Sequence, residues 1–341
     1  MTTTDTSVLR TTALSIGYRH NGKTAVVCRD LNLVLNDKQF VCLLGANGAG
    51  KSTLLRTLSG VQPALEGNVY IQQQDIRRIT RPELAHKISL VLTDPVQAGN
   101  LSVYTLLTLG RYPYAGWLGM LNNKDRDIIR QAAETTGITA FLDKNIHELS
   151  DGERQKVMIA RALVQDTPLI ILDEPTAHLD LPNRVATVRL LRSLVQHTGK
   201  SVLLSTHELD LALQAADNVW LMMPNQSMLC GAPEDLILNG TFEEAFRREG
   251  FDFNRATGTF SVHKAESHKA IDIHGDAQEV FWTTRALQRE GYTITGTAAR
   301  SVKAYTDQDN KAPRWELRHN DTTTGFETVA ALLTHLREQT N

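Results

Sequence analysis

The chain has 341 residues, a formal net charge of −2 and 41% hydrophobic residues, an ordinary globular composition with length for one large domain or two ordinary ones. Balanced charge gives no basic excess for binding nucleic acid, and no apolar run approaches the length of a membrane-spanning helix. The polar start, Met1-Thr2-Thr3-Thr4-Asp5-Thr6-Ser7, lacks an apolar signal core, so the chain is expected to stay cytoplasmic, and the three cysteines, Cys28, Cys42 and Cys230, are far apart with no ligand spacing.

Residues 7–44 alternate and carry Gly and Asn punctuation, which predicts short strands over 14–18, 24–28 and 31–35. Tyr18 reads either as a structural tyrosine or as a platform on which a purine ring can stack, and its neighbours alone do not decide. The apolar run Phe40-Val41-Cys42-Leu43-Leu44 predicts a further strand in which Cys42 is buried and inert. It leads into Gly45-Ala46-Asn47-Gly48-Ala49-Gly50-Lys51-Ser52-Thr53, and a helix-compatible stretch follows. Strand, glycine loop and helix start together are the context of a phosphate-binding loop. The glycines let the backbone curl so that successive N–H groups point at one oxyanion, and the helix N-terminus adds partial positive charge. Lys51 can reach the β- and γ-phosphates as a point charge, and Ser52 can offer a hydroxyl to Mg2+.

Residues 67–72 and 88–92 read as strands, with a short helix over 81–87 between them. From 100 to 140 apolar residues recur at helical spacing, and two helices are expected on either side of Arg111-Tyr112-Pro113-Tyr114-Ala115-Gly116. Trp117 and Leu118 in that turn read as either packed or exposed to a partner. A helix is expected from Leu149-Ser150-Asp151-Gly152-Glu153 to about Val164, capped by Ser150 or Asp151, with Gly152 leaving its start open to an anion.

Leu169-Ile170-Ile171-Leu172-Asp173-Glu174-Pro175 reads as a buried parallel strand ending in two carboxylates, where ligand sites of open α/β sheets collect. Asp173 is placed to hold Mg2+ together with Ser52, and Glu174 to orient an attacking water or take its proton. Two acids at a strand end also occur as solubility residues, but the phosphate loop upstream argues against that. An amphipathic helix follows over 181–197, with Val185, Val188, Leu191 and Val195 on one face, then a core strand over 201–205. His207 stands where that strand gives way to the next helix, and a hairpin follows over 219–231.

In this order the glycine loop, the Leu-Ser-x-Gly-Glu stretch, the Asp-Glu-Pro strand end, the Leu179-Asp180 loop and His207 resemble the nucleotide-binding subunit of ATP-binding cassette (ABC) transporters. The resemblance covers about residues 7–260. It implies an α/β fold, a P-loop NTPase (RecA-like) core with an antiparallel β subdomain and a helical insertion at about 100–165. It implies ATP held by Tyr18 at the adenine and by Gly45, Asn47, Gly48, Gly50, Lys51, Ser52 and Thr53 at the phosphates. Glu174, His207 and Lys51 match its catalytic residues, with His207 at the γ-phosphate. Ser150, Gly152 and Asp180 match the signature and the crossing loop, which complete the site of a second copy, so a homodimer is implied. The family normally has a glutamine after the 88–92 strand, touching the metal. Here Thr93 stands at that position, followed by Asp94, while Gln97 comes too late. Thr93 is therefore the expected metal contact, with Asp94 as its alternative.

Gly110-Arg111-Tyr112-Pro113-Tyr114 is similar to a stretch in importer ATPases for iron–siderophore, haem and cobalamin uptake. That resemblance implies two multi-span permease subunits, an external substrate-binding protein, no nucleic acid, and a peripheral position on the cytoplasmic face of the inner membrane. Two other classes fit less well: a soluble cassette ATPase acting on ribosomes or nucleic acid, and the ATPase of an exporter.

Residues 263–341 exceed a minimal cassette. Strands over 270–274, 292–298, 301–305 and 314–318 and helices over 277–290 and 326–337 give the order β-α-β-β-β-α, a small α+β domain of ferredoxin-like type. Val280, Phe281, Thr284 and Leu287 are expected on the inner face of the first helix. His263, His268 and His274, spaced by five and six residues, read either as metal ligands in a chelate importer or as solvated or capping side chains, and the lack of any pair on one helix turn favours the second reading.

Overall fold

The computed structural model describes residues 6–20, 23–92, 100–115, 120–246, 251–255, 258–262, 269–307, 311–320 and 322–339. They fall into two compact units, residues 1–247 with 255–259, and residues 248–254 with 260–341.

The first unit holds two sheets. In the antiparallel one, β1 (Ser7–His20) pairs with β2 (Lys23–Leu31), with β3 (Val34–Asn36) and with β5 (Glu66–Ile71), which pairs with β6 (Gln74–Asp75). The strand expected over 31–35 is shorter than its sequence suggests. Asp30 is left-handed at φ 53, the Asn32 carbonyl oxygen accepts from Ala13 N (2.9 Å), and its amide donates to Asp30 O (3.0 Å). These side-chain bonds replace ladder bonds, so β2 stops at Leu31 and pairing resumes at Val34.

The other sheet has the order β11-β10-β4-β9-β8-β7, built from β4 (Phe40–Leu44), β7 (Ile88–Val91), β8 (Leu169–Asp173), β9 (Ser201–Ser205), β10 (Asn218–Met222) and β11 (Met228–Gly231). All pairs are parallel except β10 with β11. Every residue of β4, β8 and β9 is buried, which is why these strands are continuous apolar runs. Cys28 and Cys42 are buried, and burial pushes the Cys42 thiol up to about 12. Leu54, Leu55 and Leu58 of α1 (Lys51–Leu58) join one apolar cluster with Leu9 and Leu14 of β1 and Leu43 and Leu203 of the parallel sheet. The loop before α1 is thereby anchored from both sheets.

Helix α2 (Arg81–Ala85) precedes β7, and the helical insertion follows it as α3 (Val103–Leu109), α4 (Asn123–Thr136) and α5 (Asp151–Val164). Its three helices are joined by a buried ion pair. Arg111 Nε donates to Asp125 Oδ1 at 2.8 Å, and Arg111 Nη1 donates to Val164 O at 2.9 Å, so one guanidinium ties the ends of α3 and α5 to the start of α4. The guanidinium also stacks on Tyr114, 3.8 Å from the ring centroid. A Cβ at Gly110 would stand 2.8 Å from Arg161 O, so glycine permits this close approach. Gly110 through Tyr114 is thus a structural clamp as well as a sequence signature. Trp117 and Leu118 lie outside the described residues.

Helix α6 (Leu181–Thr198) buries Thr187, Val188, Leu191, Leu194 and Val195, while Val185 is only half-buried. Helices α7 (Leu209–Ala215), α8 (Pro233–Leu238) and α9 (Thr241–Ala245) follow. The ribbon of β12 (Phe251–Asn254) and β13 (Thr259–Val262) is where the chain passes from one unit to the other.

The second unit contains β14 (Lys269–Gly275), α10 (Ala277–Arg289), β15 (Tyr292–Ile294), β16 (Arg300–Thr306), β17 (Pro313–His319), β18 (Thr322–Phe326) and α11 (Val329–Glu338). Its sheet runs β15-β14-β16-β17-β18, with β14 parallel to both β15 and β16. This is a five-stranded mixed sheet, not the ferredoxin-like arrangement expected. The expected order lacks β18 because Thr322-Thr323-Thr324-Gly325 is exposed and has no apolar alternation. Phe326 belongs to that strand, and the last helix starts at Val329 behind the Thr328 cap. Phe281 is also misplaced by the sequence: it is exposed. The inner stripe of α10 is Val280, Thr283, Ala286 and Leu287, where buried Thr283 accepts a hydrogen bond from Trp315 Nε1 at 2.7 Å.

Candidate functional site

The loop between β4 and α1 carries left-handed glycines at Gly48 (φ 78) and Gly50 (φ 105). A Cβ on Gly50 would lie 2.1 Å from Val27 Cγ1, so the loop packs against β2 where only glycine fits. Gly50 is the N-cap of α1 and offers no side-chain cap, and no acid stands in the first turn. The helix start therefore presents its N–H groups and positive end uncompensated.

Lys51, 5% exposed, donates to Gly45 O (3.1 Å) and Ala46 O (3.4 Å) and lies 3.8 Å from Glu174 Oε1. Burial pulls its ammonium below the usual lysine range, and the Glu174 and Asp173 carboxylates oppose that shift. Glu174 follows the end of β8 in a left-handed conformation (φ 49), and its Oε1 is 2.5 Å from His207 Nε2. The turn carrying His207 is held by Glu208, whose N–H donates to Thr206 Oγ1 at 3.0 Å and whose carboxylate accepts from Arg184 at 2.6 Å.

Sequence reading missed Ser205. This fully buried residue ends β9, donates its hydroxyl proton to Asp173 Oδ1 at 2.7 Å, and accepts from the Glu174 N–H at 3.0 Å. One hydroxyl thus orients both acids. A signal was present: a serine closes the apolar run Val202-Leu203-Leu204 directly before Thr206-His207.

A cleft of about 480 Å3 is lined by Tyr18, Asn47, Gly48, Gly50, Lys51, Ser52, Thr53, Glu174 and His207, with Val27. Gly45 holds Lys51 from below, and Asp173 is buried behind the cleft. The Tyr18 hydroxyl is hydrogen-bonded to the Thr53 hydroxyl, so the tyrosine faces the glycine loop. Ser150, Gly152 and Asp180 are not among the lining residues. Ser150 caps α5 in a reciprocal box: Glu153 N donates to Ser150 Oγ (3.3 Å), and Ser150 N donates to Glu153 Oε2 (2.8 Å). Asp180 caps α6 by accepting from Asn183 N at 3.1 Å. A Cβ at Gly152 would meet Asn183 Cγ at 2.8 Å, so the two capped helix starts are packed against each other. Thr93, Asp94 and Gln97 lie outside the described residues.

The profile described as "ABC transporter" matches residues 28–177, and that described as "Iron ABC transporter C-terminal domain" matches residues 268–337. An uncharacterized ABC transporter ATP-binding protein of Methanocaldococcus jannaschii is 34% identical over 255 residues, 75% of this chain and 87% of that one. This chain belongs to the ABC transporter ATP-binding proteins. The petrobactin import ATP-binding protein of Bacillus anthracis is 33% identical over 241 residues, 71% of this chain and 87% of its own length. A solved inward-facing ABC transporter, described as of metal-chelate type, aligns with TM-score 0.62 at 25% identity over 75% of this chain and 96% of its own.

As an ABC ATP-binding protein the chain is an ATPase coupled to transport, and proteins of this kind work as dimers with membrane permease subunits. Among the described residues, no helix of this ABC protein is long and apolar enough to cross a membrane.

Proposed function

We propose that this ABC protein energises uptake of a metal chelate (iron–siderophore, haem or cobalamin) from the cytoplasmic face of the inner membrane. It would act through two multi-span permease subunits fed by an external substrate-binding protein. The observation that carries the reading is the Gly110–Tyr114 clamp on the same chain as a C-terminal unit that matches the iron ABC profile. The named relatives, petrobactin and iron(3+)-hydroxamate import proteins, support it. In cells lacking the chain, accumulation of the labelled chelates should fall, and wild-type protein but not Glu174→Gln should restore it. Undiminished uptake of all three chelates would sink this reading, and ribosomes co-purifying in place of a permease would favour the soluble class.

The residues divide the work of hydrolysis by position. The adenine stacks on Tyr18, and the phosphates lie on the N–H groups of the glycine loop, with Asn47, Thr53 and the Lys51 ammonium beside them. Glu174 orients the water and takes its proton as that water attacks the γ-phosphorus, and the bond to the β–γ bridging oxygen breaks to release ADP. His207 holds Glu174 and faces the γ-phosphate. Ser150, Gly152 and Asp180 serve the site of the second copy in a head-to-tail homodimer. The donor set suits Mg2+, a hard cation usually held by one or two carboxylates together with substrate phosphates. Ser52 and Asp173 would hold it, with Thr93 as a further contact, and it neutralises charge on the phosphates when bound.

The Tyr18–Thr53 hydrogen bond makes the aromatic compete with the nucleotide for the loop hydroxyl. Tyr18→Phe keeps the ring and removes that competition. It should tighten ATP binding about five- to tenfold, the effect of one hydrogen bond, while Tyr18→Ala should weaken it. A fluorescence titration without Mg2+ reads both, and a Tyr18→Phe affinity equal to wild type would remove this role from the hydroxyl.

A further inference from the structure

We propose that the exposed face of α10 is where the second units of two copies of this chain meet, helix against helix and antiparallel, about a two-fold axis at Trp282. Two large aromatics point outward there: Phe281 is 42% exposed and Trp282 56%. They stand edge to face at 5.3 Å, and the Arg285 guanidinium lies 5.2 Å from one ring centroid and 5.5 Å from the other. The inner stripe of α10 is already filled by Val280, Thr283, Ala286 and Leu287, so these aromatics are surplus to the unit's own core. Trp and Arg are the side chains most enriched at the centres of protein interfaces.

The charges along α10 identify the occupant. Asp276 and Glu279 precede the aromatic pair, each also accepting one hydrogen bond from Thr306 of its own unit, and Arg285 and Arg289 follow it. An interface about a two-fold must be complementary to itself. Antiparallel pairing at Trp282 brings Arg285 level with the partner's Glu279, since the two stand three residues to either side of the tryptophan. Arg289 comes within about one residue rise of the partner's Asp276. The helix dipoles are then opposed, whereas a parallel pairing would stack like charges and align the dipoles. Cassette pairing in this family raises the local concentration of the second unit, so a small contact suffices. The contact is independent of which cargo is carried.

The test uses the full-length chain with Cys230→Ser, since Cys28 and Cys42 are buried. With Trp282→Cys added, mild oxidation should give a disulfide-linked dimer as the main product. Arg318→Cys, exposed on the opposite face of the sheet, should stay unlinked. No link at position 282 in a chain that still dimerises with ATP overturns the proposal. So does a link from that position to a permease subunit in the assembled transporter. If Trp282→Cys does not fold, the charges decide by sedimentation. Arg285→Glu should weaken the nucleotide-free dimer about tenfold, and adding Glu279→Arg, which gives up only a bond from the Thr306 hydroxyl, should restore it. Unchanged dimer affinity for Arg285→Glu, or no restoration, overturns the proposal equally.

Discussion

Glu174→Gln lowers ATP turnover by at least about 100-fold, the span expected for losing a general base, while ATP binding persists. The amide keeps the shape of the side chain and its place beside His207 and Lys51, but it cannot take a proton from water. Lys51 keeps its bonds to Gly45 O and Ala46 O, so the glycine loop is not disturbed. Loss of the carboxylate charge also leaves the Lys51 ammonium free of one counter-ion, which favours the phosphates. The ATP-bound dimer should therefore accumulate. Phosphate release at saturating ATP, with gel filtration of the same sample, reads both effects. Turnover within twofold of wild type would assign the base to another residue.

Asp125→Asn loosens the helical insertion by about 3–5 kcal/mol, the cost of leaving one member of a buried ion pair unmatched. The side chains of Arg111 and Asp125 are 4% and 5% exposed, so solvent cannot replace the lost charge. Burial raises the Asp125 carboxyl, but the Asn122 N–H and Arg111 outweigh it and hold the group below its usual range. A carboxyl depressed in the folded state contributes stability that is present in full above its unfolded pKa of about 3.9. That contribution is lost as pH falls through this value towards the folded one. Hydrogen exchange in α3, α4 and α5, taken relative to the unprotected rate at the same pH, should speed up in wild type below about pH 4. In Asp125→Asn it should already be fast at pH 7, and equal protection in the two proteins at pH 7 would deny the clamp its energetic role.

The parts of the site legible in the sequence are those whose chemistry is contiguous. Residues 45–53 carry their strand, turn and helix start in one stretch, and the apolar run before Asp173 announces its own depth. Ser205 and Asn183 act through neighbours distant in sequence, and only the pairing of β8 with β9 and the packing of α6 on α5 bring them to their partners. In the second unit, local periodicity located most helices and strands. It could not order them, because strand pairing is non-local, and β18 has no apolar alternation to announce it. Phe281 failed for a related reason: Thr283, a polar residue, takes the inward place because Trp315 supplies its hydrogen bond.

The shared hydroxyl of Ser205 has an evolutionary consequence. It links the carboxylate of Asp173 to the backbone N–H of Glu174, so losing it disturbs both positions at once, and no single change at Asp173 or Glu174 repairs the damage. Lineages that drift away from ATP turnover should therefore alter Glu174 before Ser205. A descendant with Ser205 intact and Glu174 replaced would be a recent departure, and one with both replaced an old one.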